Sequence, residues 1–552
     1  MSLLRHRRNP AVILLGSMMT IMAMAQSPQS MLSKPDRTPI APTVPKANRH
    51  TPGRIFLERA DSLIAEQYLP NAQILVGNVM FRRGDMFMYC DSAVFFSSPS
   101  MPTDSMEAFG NIRCEQGDTL FLYGDWMEYS GWQQLASIYS NGAKPVSLIN
   151  RDVTLTTDIL HYDMGIDLGY FNVWGKLTDA RNTLTSLEGE YTPGTKDANF
   201  YTNAQMQGVS EKGDSVWVYT DTLSYNTNTH LALLTCPSRI LSHDGDIHTS
   251  NGLYDSNANK SWLYDRSTVH TKRGNTLTGD SLYYDRATGY GEAFGSMVLT
   301  DSARQVTMEG DYGYYNEVTD SSYVTGRARA MEYSRLDTLY LHAREIRSFL
   351  APDSTHIMTA HPRARFYRED VQGLGDSLAF VEADSTLRMY INPIVWSDNR
   401  QVFGNQITVY FNDSTVERAW LPDFGFMAEH VDDDFFNQLS GKEMIAYFDD
   451  GHLNQLDVNG SVQAIMLPQE NDSTYNKIAN IESSYMIAKF NGNEMERALL
   501  WSETTGTVTP LYLAKRSLFR LPRFKWYDVL RPISPDDIFR IPPEWDQLGK
   551  EK

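Results

Sequence analysis

The chain has 552 residues, 41% of them hydrophobic and 12% aromatic, which is enough to bury a sizeable core and excludes wholesale disorder. Its formal net charge of −19 argues against a nucleic-acid binder, whose electrostatic footprint is basic. Three cysteines are too few for a disulfide scaffold, and the plentiful Tyr (30) and Phe (24) suit strands and turns better than long helices.

Residues 1–25 read as a cleaved secretory signal peptide. Arg5, Arg7 and Arg8 form a basic start, residues 11–24 are mostly apolar, and Ala23-Met24-Ala25 fits the small-x-small cleavage rule. Residues 26–53, with Pro28, Pro35, Pro39, Pro42, Pro45 and Pro52, read as an extended leader rich in Pro, Ser and Thr. Export implies an oxidising compartment. Cys90, Cys114 and Cys236 are an odd set, so they are expected to be buried free thiols, with a Cys90–Cys114 pair as the alternative.

From residue 54 to about 430 one unit recurs. Gly213-Asp-Ser-Val-Trp-Val-Tyr-Thr-Asp-Thr-Leu-Ser-Tyr225 and Gly274-Asn-Thr-Leu-Thr-Gly-Asp-Ser-Leu-Tyr-Tyr284 share an apolar strand, a small residue, an Asp, and an aromatic four residues later. Phe95, Tyr129, Tyr162, Tyr191, Tyr225, Tyr254, Tyr284, Tyr315, Arg347, Phe380 and Tyr410 occupy that last position, at intervals of roughly 31 residues. Seven residues before it stands an apolar ladder that includes Leu122, Leu155, Leu184, Val218, Ile247, Leu277 and Met308. Four before it stands an Asp in most units: Asp91, Asp125, Asp158, Asp221, Asp280, Asp311 and Asp376. The fold class implied is all-β: a repeat-built β-jelly-roll or β-solenoid of strand-turn-strand units.

In a straight strand the ladder residue and the aromatic would face opposite sides, because seven is odd and the period is two. The residue between them is usually small (Cys90, Gly124, Thr157, Ser186, Thr220, Thr249, Gly279, Gly310, Gly375), so a bulge or corner there would return both to the interior. The recurring Asp is expected at an exposed or hydrogen-bonded corner, because carboxylates buried in a row would repel.

Residues 431–510 read as a looser β extension of the array, and 511–552 as a basic, Pro-rich tail. In the tail, Lys515, Arg516, Arg520, Arg523, Lys525 and Arg531 stand against Asp528, interleaved with Phe519, Phe524, Trp526 and Tyr527. Arg516, Arg520, Arg523 and Lys525 are therefore candidates for docking a partner, an anionic head group or the protein's own acidic body as a cap over the last strand edge. No phosphate loop, nucleophile elbow or paired-histidine zinc motif is present. His243-Asp-Gly-Asp-Ile-His248 has the ligand spacing of neither a helix nor one strand face, and Asp432–Asp434 lack the alternating pattern of a calcium loop. No catalytic residue, metal or cofactor is expected.

The unit Gly-Asp-x-[Leu/Val]…Asp-x-Leu-x-Tyr, interleaved with Ala108-Phe-Gly-Asn-Ile112 and Gly291-Glu-Ala-Phe-Gly295, resembles the OstA/LptA family of periplasmic lipopolysaccharide-transport proteins. The start (Asn71-Ala-Gln-Ile-Leu-Val-Gly-Asn-Val79) and the end (Phe524-Lys-Trp) resemble the large OstA-like proteins of Bacteroidetes. The resemblance implies a jelly-roll whose apolar groove carries lipid A acyl chains, here against Leu122, Leu155, Leu184, Val218, Ile247, Leu277 and Met308. It also implies a periplasmic location serving the outer membrane, other transport proteins as partners, and end-to-end self-association. The alternative is a structural scaffold of the envelope with a closed core and no lipid.

Overall fold

The computed structural model describes residues 55–65, 71–97, 103–209, 213, 215–334, 337–412, 415–469, 474–491 and 494–548; the segments expected to be a signal peptide and leader lie outside them. The chain divides into two units, Met1–Pro52 and Gly53–Lys552, and all the described residues belong to the second. Its regular structure, among the described residues, is β-strand apart from short 3-10 turns after Pro510. The 46 strands are joined in one continuous antiparallel hydrogen-bonded network.

That network folds into two walls. The strand Leu120–Ser130 shows how. Its first half pairs with Val146–Asn150 and its second half with Leu135–Tyr139, so one strand serves both walls. Its buried positions change phase at Gly124–Trp126: Leu122 faces inward on one side of the corner, Met127 and Tyr129 on the other. Other long strands bend likewise, with register shifts at Tyr89/Ser92, Tyr201/Ala204, Phe294/Met297 and Asn459/Val462. Elsewhere the chain breaks at the corner into two short strands, as in Val153–Thr157 and Ile159–Asp163. Corners line one edge of the body; hairpin turns line the opposite, free edges of both walls.

Sterics explain the corner. Gly110 has φ +77° and sits against the Asp91 carboxylate, which an added Cβ would strike at 2.3 Å. Gly295, at φ +69°, meets Asp280 in the same way. The recurring Asp is the acceptor there: Asp91 takes a 2.8 Å bond from Asn111 Nδ2, Asp125 a 2.9 Å bond from the Asn141 amide, and Asp280 a 2.8 Å bond from Arg266 Nη1. These carboxylates reach solvent and do not converge on one another.

Facing inward on one wall, here called the ladder wall, the cross-strand partners run Leu122, Leu148, Leu155, Leu177, Leu184, Met206 and Val218, and continue through Ile240, Ile247, Val269, Leu277, Leu299 and Met308. All are buried. On the facing wall a row of Tyr alternates with small residues: Tyr162, Gly169, Tyr191, Ala198, Tyr225, Ala232, Tyr254, Ser261, Tyr284, Gly291, Tyr315. Large against small lets each ring lie over its neighbour and fill the space between the walls.

Cys90 and Cys114 are free and buried in this core, and Cys236 is free at a half-buried corner. Burial pushes the Cys90 and Cys114 thiols up to about 12, with the charge of Asp91 adding to the first and Cys90 to the second. Corner hydrogen bonds from Thr220 and Thr222 outweigh burial at Cys236 and hold it below the usual thiol range. In the native protein at pH 8, a thiol reagent such as dithiobis-nitrobenzoate should therefore label Cys236 alone. The raised folded pKa of the other two means that their contribution to stability is complete below the unfolded thiol pKa. It is then lost as pH climbs towards about 12, so denaturant midpoints should fall across that alkaline range.

After Pro510 the tail turns back along the outer face of the ladder wall instead of capping its last edge. A row of side-chain amides on alternate strands holds it: Asn480, Gln438, Gln401 and Gln372, related through the partners Ile465, Ala428 and Trp396. Asn480 donates to the Leu518 carbonyl at 2.9 Å, and Gln438 to that of Phe519 at 2.7 Å. Gln401 donates to the Lys525 carbonyl at 2.9 Å, and Gln372 accepts from Arg531 Nε at 2.8 Å. Leu530 and Trp545 then cover Leu374, Ile394 and Trp396, while Phe524 and Trp526 cover Phe426 and Phe436.

Candidate functional site: the interior between the walls

The space between the walls has two regimes. From Arg83 to Asp320 the free edges are tied together by side chains reaching from turns of the ladder wall to the facing wall. Arg83 Nη2 donates to Gln134 Oε1 at 2.7 Å. Asn150 Nδ2 donates to the Tyr191 hydroxyl at 3.1 Å and to the Pro193 carbonyl at 3.0 Å. Asn182 Nδ2 donates to the Tyr225 hydroxyl at 2.7 Å and to Ser256 Oγ at 3.0 Å; that hydroxyl donates to Asp179 Oδ2 at 2.6 Å. Asn275 Nδ2 meets the Tyr315 hydroxyl at 2.8 Å, and Arg304 Nη2 meets Asp320 Oδ2 at 2.8 Å. Burial, helped by the Asp179 carboxylate, pushes the Tyr225 phenol far above its ordinary range, so it stays a donor. Behind this seam the core is tight: the cavity beside Asn275, Met308 and Tyr315 measures about 30 Å³, and that beside Leu122 and Tyr162 about 10 Å³. Neither has room for a hydrocarbon chain, since spaces of this size hold roughly one or two waters.

Past Arg304–Asp320 the same rows continue, and their side chains are less fully covered. On the facing wall the Tyr row runs on as Ser322, Ser348, Met358, Phe380, Leu387, Val409, Ala419 and Ala446. Ser348 is buried, Phe380 is 37% exposed, and Met358, Leu387, Val409 and Ala446 are half-buried. On the ladder wall Leu341, Val395, Val402 and Met427 are likewise half-buried while still packed against the core. The row beside the corners stays shut: Ile346, Ala360, Leu378, Met389, Ile407, Leu421 and Met444 are all buried. Burial is therefore complete beside the corner and partial towards the free edges, where both inward rows keep some apolar surface exposed. The tail lies behind the ladder wall along this same stretch and gives it a second apolar layer.

The seven ladder residues singled out from the sequence all lie in the closed stretch, none more than 5% exposed. Of the tail residues, Arg520 Nη2 bonds Asp434 Oδ1 at 2.6 Å and its guanidinium covers the Phe436 ring at 4.9 Å; that of Arg523 lies 4.6 Å from the Phe424 ring. Arg516 and Lys525 are exposed. The half-buried lining residues and the seam asparagines were not singled out. A local signal existed for two of the latter: Asn-Thr-Leu recurs at 182–184 and 275–277, each Leu being a ladder residue.

Among the described residues no group of three or more His, Cys, Asp or Glu is placed to hold a metal ion, and no helix is long and apolar enough to cross a membrane. His248 Nε2 pairs with Asp246 at 2.9 Å, and Arg239 shares that carboxylate. No curated protein matches the chain. Residues 53–212 match the family model described as OstA-like protein. That segment, which runs from the first strands through the bent strand Asp197–Val209, is similar to OstA-like proteins.

Proposed function

We propose that the protein is a non-enzymatic periplasmic carrier or bridge for lipopolysaccharide on its way to the outer membrane. Support comes from the OstA-like segment, whose family serves lipopolysaccharide transport. The observation that carries the reading is the partly exposed inward apolar surface of Met358, Leu387, Val409, Val395, Val402 and Met427, which we propose borders a cleft where lipid A acyl chains would lie. The ladder Leu122, Leu155, Leu184, Val218, Ile247, Leu277 and Met308 is the inward continuation of that surface. Other transport proteins are the proposed partners, end-to-end contact between copies the proposed mode of assembly, and the periplasm, beside the outer membrane, the proposed location. Arg516 and Lys525, both exposed, are the proposed contacts for an anionic head group or partner.

A second reading, an envelope scaffold that binds no lipid, is favoured by the tight packing of the closed stretch. Extracting the mature protein purified from its own envelope separates the two. The carrier should bring a lipid A-bearing molecule with it, whereas a scaffold should bring none.

A further inference from the structure

The seam along the closed stretch is made of the wrong material for a permanent core. Apolar side chains at the free edges would close the walls without needing partners. Instead, Asn182, Asp179, Asn275 and the hydroxyls of Tyr225 and Tyr315 are buried there, and each must find a bond across the gap. Such bonds exchange readily for bonds to water when the walls part, whereas an apolar edge would resist parting over its whole area. Past Arg304–Asp320 the inward rows keep partly exposed apolar side chains, so more and less covered stretches are neighbours on one continuous apolar surface.

We propose that this row of hydrogen bonds is a latch that holds the walls shut and so sets how far the cleft extends for a hydrocarbon chain. Releasing it from the Arg304–Asp320 end, and then at Asn275–Tyr315, lengthens the cleft towards Leu277 and then Leu184. The inference rests on the carrier reading for its ligand, but wall opening can be read without any lipid.

The test compares the full mature chain with the Asn182→Ala, Tyr225→Phe double variant and the Tyr315→Phe single variant. A Tyr201→Phe control loses a hydroxyl bond to Glu190 (3.1 Å) on the outer face of the facing wall. Amide hydrogen exchange in 182–186 and 223–226, or in 276–279 and 312–316 for the single variant, reports opening. Binding of 1-anilinonaphthalene-8-sulfonate reports apolar surface exposed between the walls. Exchange in those strands should rise roughly tenfold, the factor of one net hydrogen bond of ordinary strength, and dye fluorescence should rise with it. The control should change neither. If the double variant unfolds, the single variant decides by the same two signals. Unchanged exchange and dye binding would overturn the latch. Opening without any gain in binding of purified lipid A would leave the latch standing and count against the carrier reading instead.

Discussion

Replacing Leu277 with Asp should cost about 3 kcal/mol or more and shift the urea midpoint sharply downward. Leu277 is 2% exposed, between Val269 and Leu299 in the ladder row, with no cationic neighbour in that row. A carboxylate there must either remain charged without a partner or take up a proton at neutral pH, and both are costly. The same change at Val409 should behave differently. Val409 is half-buried on the cleft wall, so its carboxylate can reach water. Val409→Asp should keep most of its stability and lose lipid. Urea titrations of the two variants side by side check the contrast; equal loss of stability at both positions would mean that the cleft is closed core.

The second large effect is expected at Arg365. Its side chain is 1% exposed, and its guanidinium donates to the Leu530 carbonyl at 2.9 Å, to the Asp537 carbonyl at 2.8 Å and to that of Arg540, with the Asp537 carboxylate 3.6 Å away. Arg365→Ala removes one side of a buried charged cluster and leaves those acceptors dry, a loss of about 3–5 kcal/mol for such a site. The tail should then lift from the ladder wall and uncover Leu374, Ile394 and Trp396. Trypsin should cleave at Arg516, Arg520 and Arg523 much faster than in the parent chain, and the strands from 364 to 404 should exchange faster. Parent-like cleavage would show that the amide row alone holds the tail.

The features written in the sequence share a physical trait: each repeats at short range. The corner was legible because Leu122 and Tyr129 are an odd number of residues apart with Gly124 between them, and one local geometry satisfies all three. The inward ladder was legible because alternation along a strand reports which side is apolar. Alternation cannot report what lies opposite that side. Leu184 and Val409 are both apolar strand residues, yet one is fully buried and the other half-buried, a difference set by what the opposite wall covers. The seam escaped because Asn182 and Tyr225 are brought together by wall stacking, with no local period linking them. The tail's position escaped for a related reason. Gln372, Gln401 and Gln438 look like ordinary polar residues of an outer face, and only strand pairing reveals them as one row that binds a backbone.

Lipid extraction from cleft variants is the sharpest check on the carrier reading. The mature parent chain, Leu387→Asp, Val409→Asp and the outer-face control Tyr201→Phe would be purified in parallel from the native envelope, checked for parent-like circular dichroism, and their bound lipid weighed by mass spectrometry. The parent and the control should carry a lipid A-bearing molecule, and the two folded cleft variants at least tenfold less of it. A parent chain that carries no lipid, or cleft variants that carry as much as the parent, would refute lipid carriage in the cleft.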